Sequence, residues 1–386
     1  MPDVVSDRLL WRYLTIVAAL FVPIFVPFLL GFEWAGRRLG ATVPLSTIAR
    51  EQQDDHKLLW LGGFKDYAPY KLERIKLVQP EVLLVGSSRC GQARAQIFRP
   101  YKTYNACLTA WPLDHVVDFI DRATTVSKPR IVIVALDYFL FGDRLANMWR
   151  TERTMDYWQG IGSHTRKLHE VADFARRENW SYDVLATALN RAQYEPVDNG
   201  RLVGTEAIRG RFGFRADGSM LIAPGYRDGS AAALANVSGL MLSFYGAPHL
   251  SERQFKEVVR LSRLAKERGF TVVGIQFPIL KSAADFLDTD EYYRPNAGPW
   301  RELGSSQTAE RFARLGIRFF DMSRDPVAAE STNFSDPIHP TERGILRTII
   351  SLLDHKNFSD LFPNIDKHEL QNDLSLSPGE TFDLYH

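Results

Sequence analysis

Val82-Leu83-Leu84-Val85-Gly86-Ser87-Ser88-Arg89 decides how this chain is read. Four consecutive apolar residues have the pattern of a strand buried on both faces, as in a parallel sheet. Gly86 then allows a tight turn. Ser88 follows on that turn, at the start of a short helix whose N–H groups favour a developing negative charge. By itself a Gly-Ser-Ser turn is common and carries little weight.

Working outward, further strands are expected at Tyr101 to Cys107, Arg130 to Leu136, Phe270 to Phe277 and Ile317 to Phe320. Helices are expected between them. Pro112 opens one whose Leu113, Val116, Val117 and Ile120 recur at helical spacing. Ser251-x-x-Gln254 reads as a capping box, with Phe255, Val258, Val259 and Leu261 as the buried stripe and Gly269 as the stop. Ile345, Leu346, Ile349, Leu352 and Leu353 mark a closing helix. Strands alternating with helices predict an α/β fold with a parallel sheet covered on both faces. Residues 138–250 break the rhythm and read as an insertion or lid, with a helical stretch near Thr165 to Glu178 and a hairpin turn at Asp217-Gly218.

The second informative stretch is Ser335-Asp336-Pro337-Ile338-His339-Pro340-Thr341. Asp336 and His339 are three residues apart, so one turn of backbone brings their side chains together. A carboxylate so placed holds an imidazole in the tautomer that takes a proton from a serine. Asp383 and His386 share the spacing but lie at the end of the chain. The first pair follows a strand and precedes a helix. Sites in open α/β sheets gather at the carboxyl ends of the strands, so Ser88 and His339 are expected on one rim, forming a set for acyl chemistry.

The chain has 386 residues, 45% of them hydrophobic, enough for one large or two ordinary domains. A formal net charge of +1 implies no broad basic surface for nucleic acid. Two cysteines, Cys90 and Cys107, exclude a disulfide scaffold and a cysteine-built zinc site. Two buried free thiols are the expectation, and a single disulfide in an oxidising compartment is the alternative. Tyr13 to Phe32 is an uncharged run long enough to cross a bilayer, read as an uncleaved anchor with a signal peptide as the rival. Arg8 and Arg12 before it balance Arg37 and Arg38 after it, so flanking charge does not orient it. The expected organisation is an anchor at 1–32, a connector at 33–80, the α/β domain at 81–355 with its insertion, and a loosely attached polar tail at 356–386.

Gly86-Ser87-Ser88, Asn105-Ala-Cys-Leu-Thr-Ala110 and Asp336-Pro-Ile-His339 resemble the first, second and last blocks of the SGNH (GDSL-type) hydrolases. The resemblance covers roughly residues 81–136 and 251–355. It implies a three-layer α/β/α sandwich with a five-stranded parallel sheet. It implies Ser88 as nucleophile, His339 as base and Asp336 as its partner, with the N–H groups of Ser88 and Ala110 forming the oxyanion hole. No metal or diffusible cofactor is needed. Three positions depart from the family pattern. Ser87 stands where an acid is usual, Ala110 where a glycine is usual, and Asp137 where an asparagine donor is usual. An ionised Asp137 would repel an oxyanion, so either it has another role, such as capping or salt bridging, or the third donor lies elsewhere. Asn105 has no assigned role. The Gly-Ser-Ser form behind an anchor is similar to proteins of bacterial envelope polysaccharide O-acylation. That likeness implies a domain outside the cytoplasm, an acylated polysaccharide or other ester substrate, and a multi-pass O-acyltransferase as partner. In the insertion, Trp149, Tyr157, Trp158, Trp180 and Tyr182 either stack on sugars or form the lid's own core, and Arg209, Arg211 and Arg215 suit acidic groups. The rival from another class is a catalytically silent scaffold of the same fold. Asp137 and Ala110 favour it, and the intact Ser-Asp-His set opposes it.

Overall fold

A computed structural model describes residues 4–40, 42–55, 59–61, 67–109, 112–143, 171, 174–176, 181–190, 201–203, 213–221, 247–291 and 293–376. The chain divides into two compact units. One comprises 1–44, 59–64 and 155–211, and the other 45–58, 65–154 and 212–386.

The larger unit is built on a five-stranded parallel sheet. Its strands are β1 (Val82–Gly86), β2 (Thr103–Cys107), β3 (Ile131–Ala135), β4 (Thr271–Gln276) and β5 (Arg318–Asp321). Their order across the sheet is β2-β1-β3-β4-β5. Val82 stands opposite Thr103 on one side and Ile131 on the other. Every residue of β1, β2 and β3 is buried, which is why β1 and β3 read as unbroken apolar runs; β2 also buries Tyr104 and Asn105. The edge strand β5 is half-exposed and carries Arg318 and Asp321, charges of the kind that blunt a sheet edge. The strand order reverses between β1 and β3, and ligands of open α/β sheets sit beyond the carboxyl ends of strands at such a switch point.

On one sheet face Leu84, Ile133 and Ile275 pack against Ile345, Leu346 and Ile349 of the helix Glu342–Leu352. The helices Leu113–Val126 and Glu252–Arg268 pack against each other, the first also against β1 and the second against β4. Ser251 caps the second of these, its Oγ accepting from Gln254 N at 3.3 Å, and Gly269 ends it in the left-handed region at φ 77°. Val259 departs from the expected stripe and is 38% exposed. The buried line runs through Phe255, Val258, Leu261 and Ala265, so Val259 falls at its margin. The segment from Lys356, expected as a loose tail, is also different. Helices Lys356–Ser359 and Lys367–Leu376 and the turn between them put Phe358, Leu370 and Phe362 fully into the core. Their apolar residues are spaced three to five apart among charges, which gives a thin stripe that a reading of average polarity misses.

In the smaller unit, Val4–Arg38 is one helix containing Pro23 and Pro27. Leu9–Arg38 is long and apolar enough to cross a membrane, with a hydropathy of 2.5 in its most apolar window and none of that window buried. Its last turns pack inward, where Phe32 and Ala35 are fully buried and Phe32 meets the ring of Phe174 at 6.2 Å. Leu59–Leu61 pairs in parallel with Arg201–Val203. By length and composition this helix suits a membrane anchor or a signal sequence. As an anchor it should keep the protein in the membrane pellet through an alkaline carbonate wash. Release into the supernatant would remove the anchor reading.

Candidate active site

β1 ends at Gly86, whose φ is 152°. A Cβ there would stand 2.6 Å from Ala135 Cβ and 3.2 Å from Ala135 N. Only glycine lets the strand turn this close to β3. The turn delivers Ser87 and then a single 3-10 turn, Ser88–Cys90.

Ser88 Oγ lies 2.7 Å from His339 Nε2. His339 Nδ1 lies 2.6 Å from Asp336 Oδ2. The other carboxylate oxygen accepts from Ile338 N and His339 N, both at 2.9 Å. This is the turn that aspartate favours, with its side chain bonded to backbone two and three residues on. A bridge between Phe334 and Pro340 and a 3.0 Å bond from Ser335 N to His339 O close the loop at its base. Burial pushes the Asp336 carboxyl up, but the His339 hydrogen bond and charge and the two backbone N–H groups outweigh it, holding the carboxyl below the usual carboxylate range. Asp336 is therefore ionised at neutral pH and accepts from Nδ1–H. Nε2 is left with its lone pair toward the Ser88 hydroxyl.

Asp137 is fully buried and does not present a bare charge. Its Oδ2 accepts from Ser87 Oγ at 2.6 Å, and its Oδ1 pairs with Arg89 Nη1. The repulsion expected of an aspartate at this place is thus taken up by a cation one residue beyond the serine. Arg89 was not singled out from the sequence. Its signal was a charge set between Ser88 and Cys90, directly after a buried strand. Asn105 lies beneath the serine turn. Its Nδ2 donates to the carbonyls of Cys90, Gly91 and Ala93 at 2.9, 3.1 and 2.8 Å, and its Oδ1 accepts from Cys107 N at 2.8 Å.

Cys90 and Cys107 form a disulfide, correcting the expectation of two free thiols. The reason is topological. Pairing of β1 with β2 sets Gly86 opposite Cys107, and the turn after Gly86 carries Cys90 back over it. Leu108, at φ 66°, donates its N–H to Gly86 O at 2.9 Å, a second tie between the same two segments.

The Asp217-Gly218 turn joins the strands Gly213–Phe214 and Met220–Leu221, as the sequence predicts. This hairpin is fastened to the site's underside. Met220 N donates to Gly91 O at 2.7 Å, and Asn105 N to Asp217 O at 2.8 Å. Buried Lys71 donates to Gly218 O and to Asn105 O, and burial drives its amine well below the usual lysine range. Arg215 pairs with buried Glu342 at 2.9 Å, so it is engaged within the protein. Tyr182 is 71% exposed. Ala110, Trp149, Tyr157, Trp158, Trp180, Arg209 and Arg211 lie outside the described residues. Among the described residues, no group of three or more His, Cys, Asp or Glu is arranged to hold a metal. Set against known proteins, the chain matches no family model and no curated protein.

Proposed function

We propose that this chain is a membrane-anchored serine acyl hydrolase or O-acyltransferase of the SGNH type. The observation that carries the reading is the continuous relay from Ser88 Oγ through His339 to Asp336, at 2.7 and 2.6 Å. The β2-β1-β3-β4-β5 order suits the three-layer α/β/α sandwich of that family. His339 takes the hydroxyl proton as Ser88 Oγ adds to an ester carbonyl. The Ser88 and Ala110 N–H groups receive the oxyanion in this reading. Collapse of the adduct expels the alcohol with the proton from His339 and leaves an acyl-serine. Water or a sugar hydroxyl then gives its proton to His339 and takes the acyl group.

The substrate class we assign is an ester-linked acyl group on an envelope or extracellular polysaccharide. Two features support a site outside the cytoplasm. An apolar helix of spanning length precedes the domain, and a disulfide lies beside the nucleophile, a bond that persists in oxidising compartments. A multi-pass O-acyltransferase remains the proposed partner, and the insertion the proposed lid that sets water against a sugar hydroxyl. Neutralisation of Asp137 by Arg89 removes one argument for a silent scaffold.

A fluorophosphonate probe tests the reading. It should label the purified protein on Ser88, shown by mass spectrometry of the labelled peptide. The labelling rate should fall in His339→Ala, because the His339 imidazole is the group that takes the serine proton. Asp336 should not limit labelling near neutrality. Its carboxyl is lowered in the folded state, so its contribution is complete above the unfolded value and is lost only as pH falls through the lower folded one. A folded protein that never labels leaves the scaffold as the better reading.

A further inference from the structure

Resting on that reading, we infer that Arg89, held by Asp137, is the positioning residue that sets the distance between nucleophile and base. Ser88 and His339 are 251 positions apart in the chain, on separate loops. Arg89 is bonded to both loops. Its backbone directly follows Ser88. Its Nε donates to Ile338 O at 3.0 Å, on the residue just before His339. Its Nη2 donates to Pro278 O at 2.8 Å and to Phe277 O, just beyond the end of β4. Its Nη1 meets Asp137, just beyond the end of β3. One guanidinium thus fixes the ends of β1, β3 and β4 and the histidine loop to one another.

The arrangement also closes on itself around the nucleophile. Asp137 Oδ2 accepts from Ser87 Oγ at 2.6 Å, and Ser87 Oγ accepts from Arg89 N at 3.2 Å. Ser88 is therefore bracketed by two residues that share a single buried carboxylate. Ser87 and Asp137 are 0% exposed and Arg89 1%. A buried cation is held only if it is paired and its N–H groups are used, and both conditions are met here. The planar fork is essential to the role. Lysine can balance Asp137, but its ammonium has three N–H donors for the four acceptors and no fixed plane to hold them apart.

The test separates position from stability. Arg89→Lys keeps the charge balance. The double variant Arg89→Gln with Asp137→Asn removes both charges, so neither is left buried alone. For each, melting temperature is measured beside the fluorophosphonate labelling rate of Ser88, with hydrogen exchange of the 335–341 peptide. The expected result for Arg89→Lys is a melting temperature within about 4 °C of wild type. Labelling should be slower by about 100-fold, the size of effect a misplacement near 1 Å produces. Exchange at 335–341 should be faster, and the double variant should behave alike. Wild-type labelling in either folded variant would overturn the inference, as would labelling that falls only in step with melting temperature. If wild type itself never labels, the serine-enzyme reading fails separately. Exchange then decides the positioning alone: faster exchange at 335–341 in Arg89→Lys supports it, and unchanged exchange overturns it.

Discussion

Ser88→Ala and His339→Ala should each lower turnover of a chromogenic acetate ester by on the order of 10⁶-fold, the scale on which serine relays fail as a unit. Neither side chain fills a core position, so melting temperature should move little. Asp336→Asn should cost less, about 10⁴-fold. Its Oδ1 can still accept from Ile338 and His339, so the loop keeps its shape. The new amide, however, donates toward Nδ1 and puts the imidazole proton on Nε2, facing Ser88. The defect is then one of tautomer, visible as lost activity in a normally folded protein. The measurement is kcat/KM with the melting curve alongside. Full activity in purified Ser88→Ala protein would end the assignment of the nucleophile.

Opening the Cys90–Cys107 bond should have the second largest effect. The bond closes a loop of 17 residues in sequence separation, and a loop that short is worth about 3 kcal/mol in the chain-entropy account. For a domain of this size that is a fall of roughly 5 °C in melting temperature. Activity should fall further than stability alone requires, because the bond ties the nucleophile's turn to β2. Dithiothreitol, or Cys90→Ser with Cys107→Ser, gives the comparison, and reoxidation should restore the reduced sample. Titration of two free thiols in the native, extracted protein would defeat the prediction.

The sheet was legible because its strands carry their burial openly. Val82 to Val85 and Ile131 to Ala135 are apolar without interruption, and only a strand covered on both faces needs that. The relay was legible because each of its halves is local: Gly-Ser-Ser at one strand end, Asp-x-x-His in one loop. What escaped the sequence depends on which strands are neighbours. Arg89 and Asp137 are 48 residues apart and meet only because β1 lies beside β3. Without that adjacency Asp137 reads as a carboxylate facing an oxyanion. The disulfide depends in the same way on β1 lying beside β2. The terminal helices were misread for another reason. Phe358, Phe362 and Leu370 are few among many charges, and three well-placed side chains suffice to cap a core face.

The terminal helices also bear on the order in which the chain is made. Phe98 meets Phe362 at 5.9 Å, and the serine meets its base across 251 residues. At about 5–20 residues per second of synthesis, the histidine follows the serine by roughly 12–50 s, while Cys107 follows Cys90 within roughly 1–3 s. The turn that carries Ser88 can thus be cross-linked while His339 does not yet exist. For that interval the apolar face of β1 and β3 lacks the part of its cover that residues 345–370 supply. Under the proposed reading the growing chain still lacks its base but is already adhesive, and whatever holds it during this time must shield a surface.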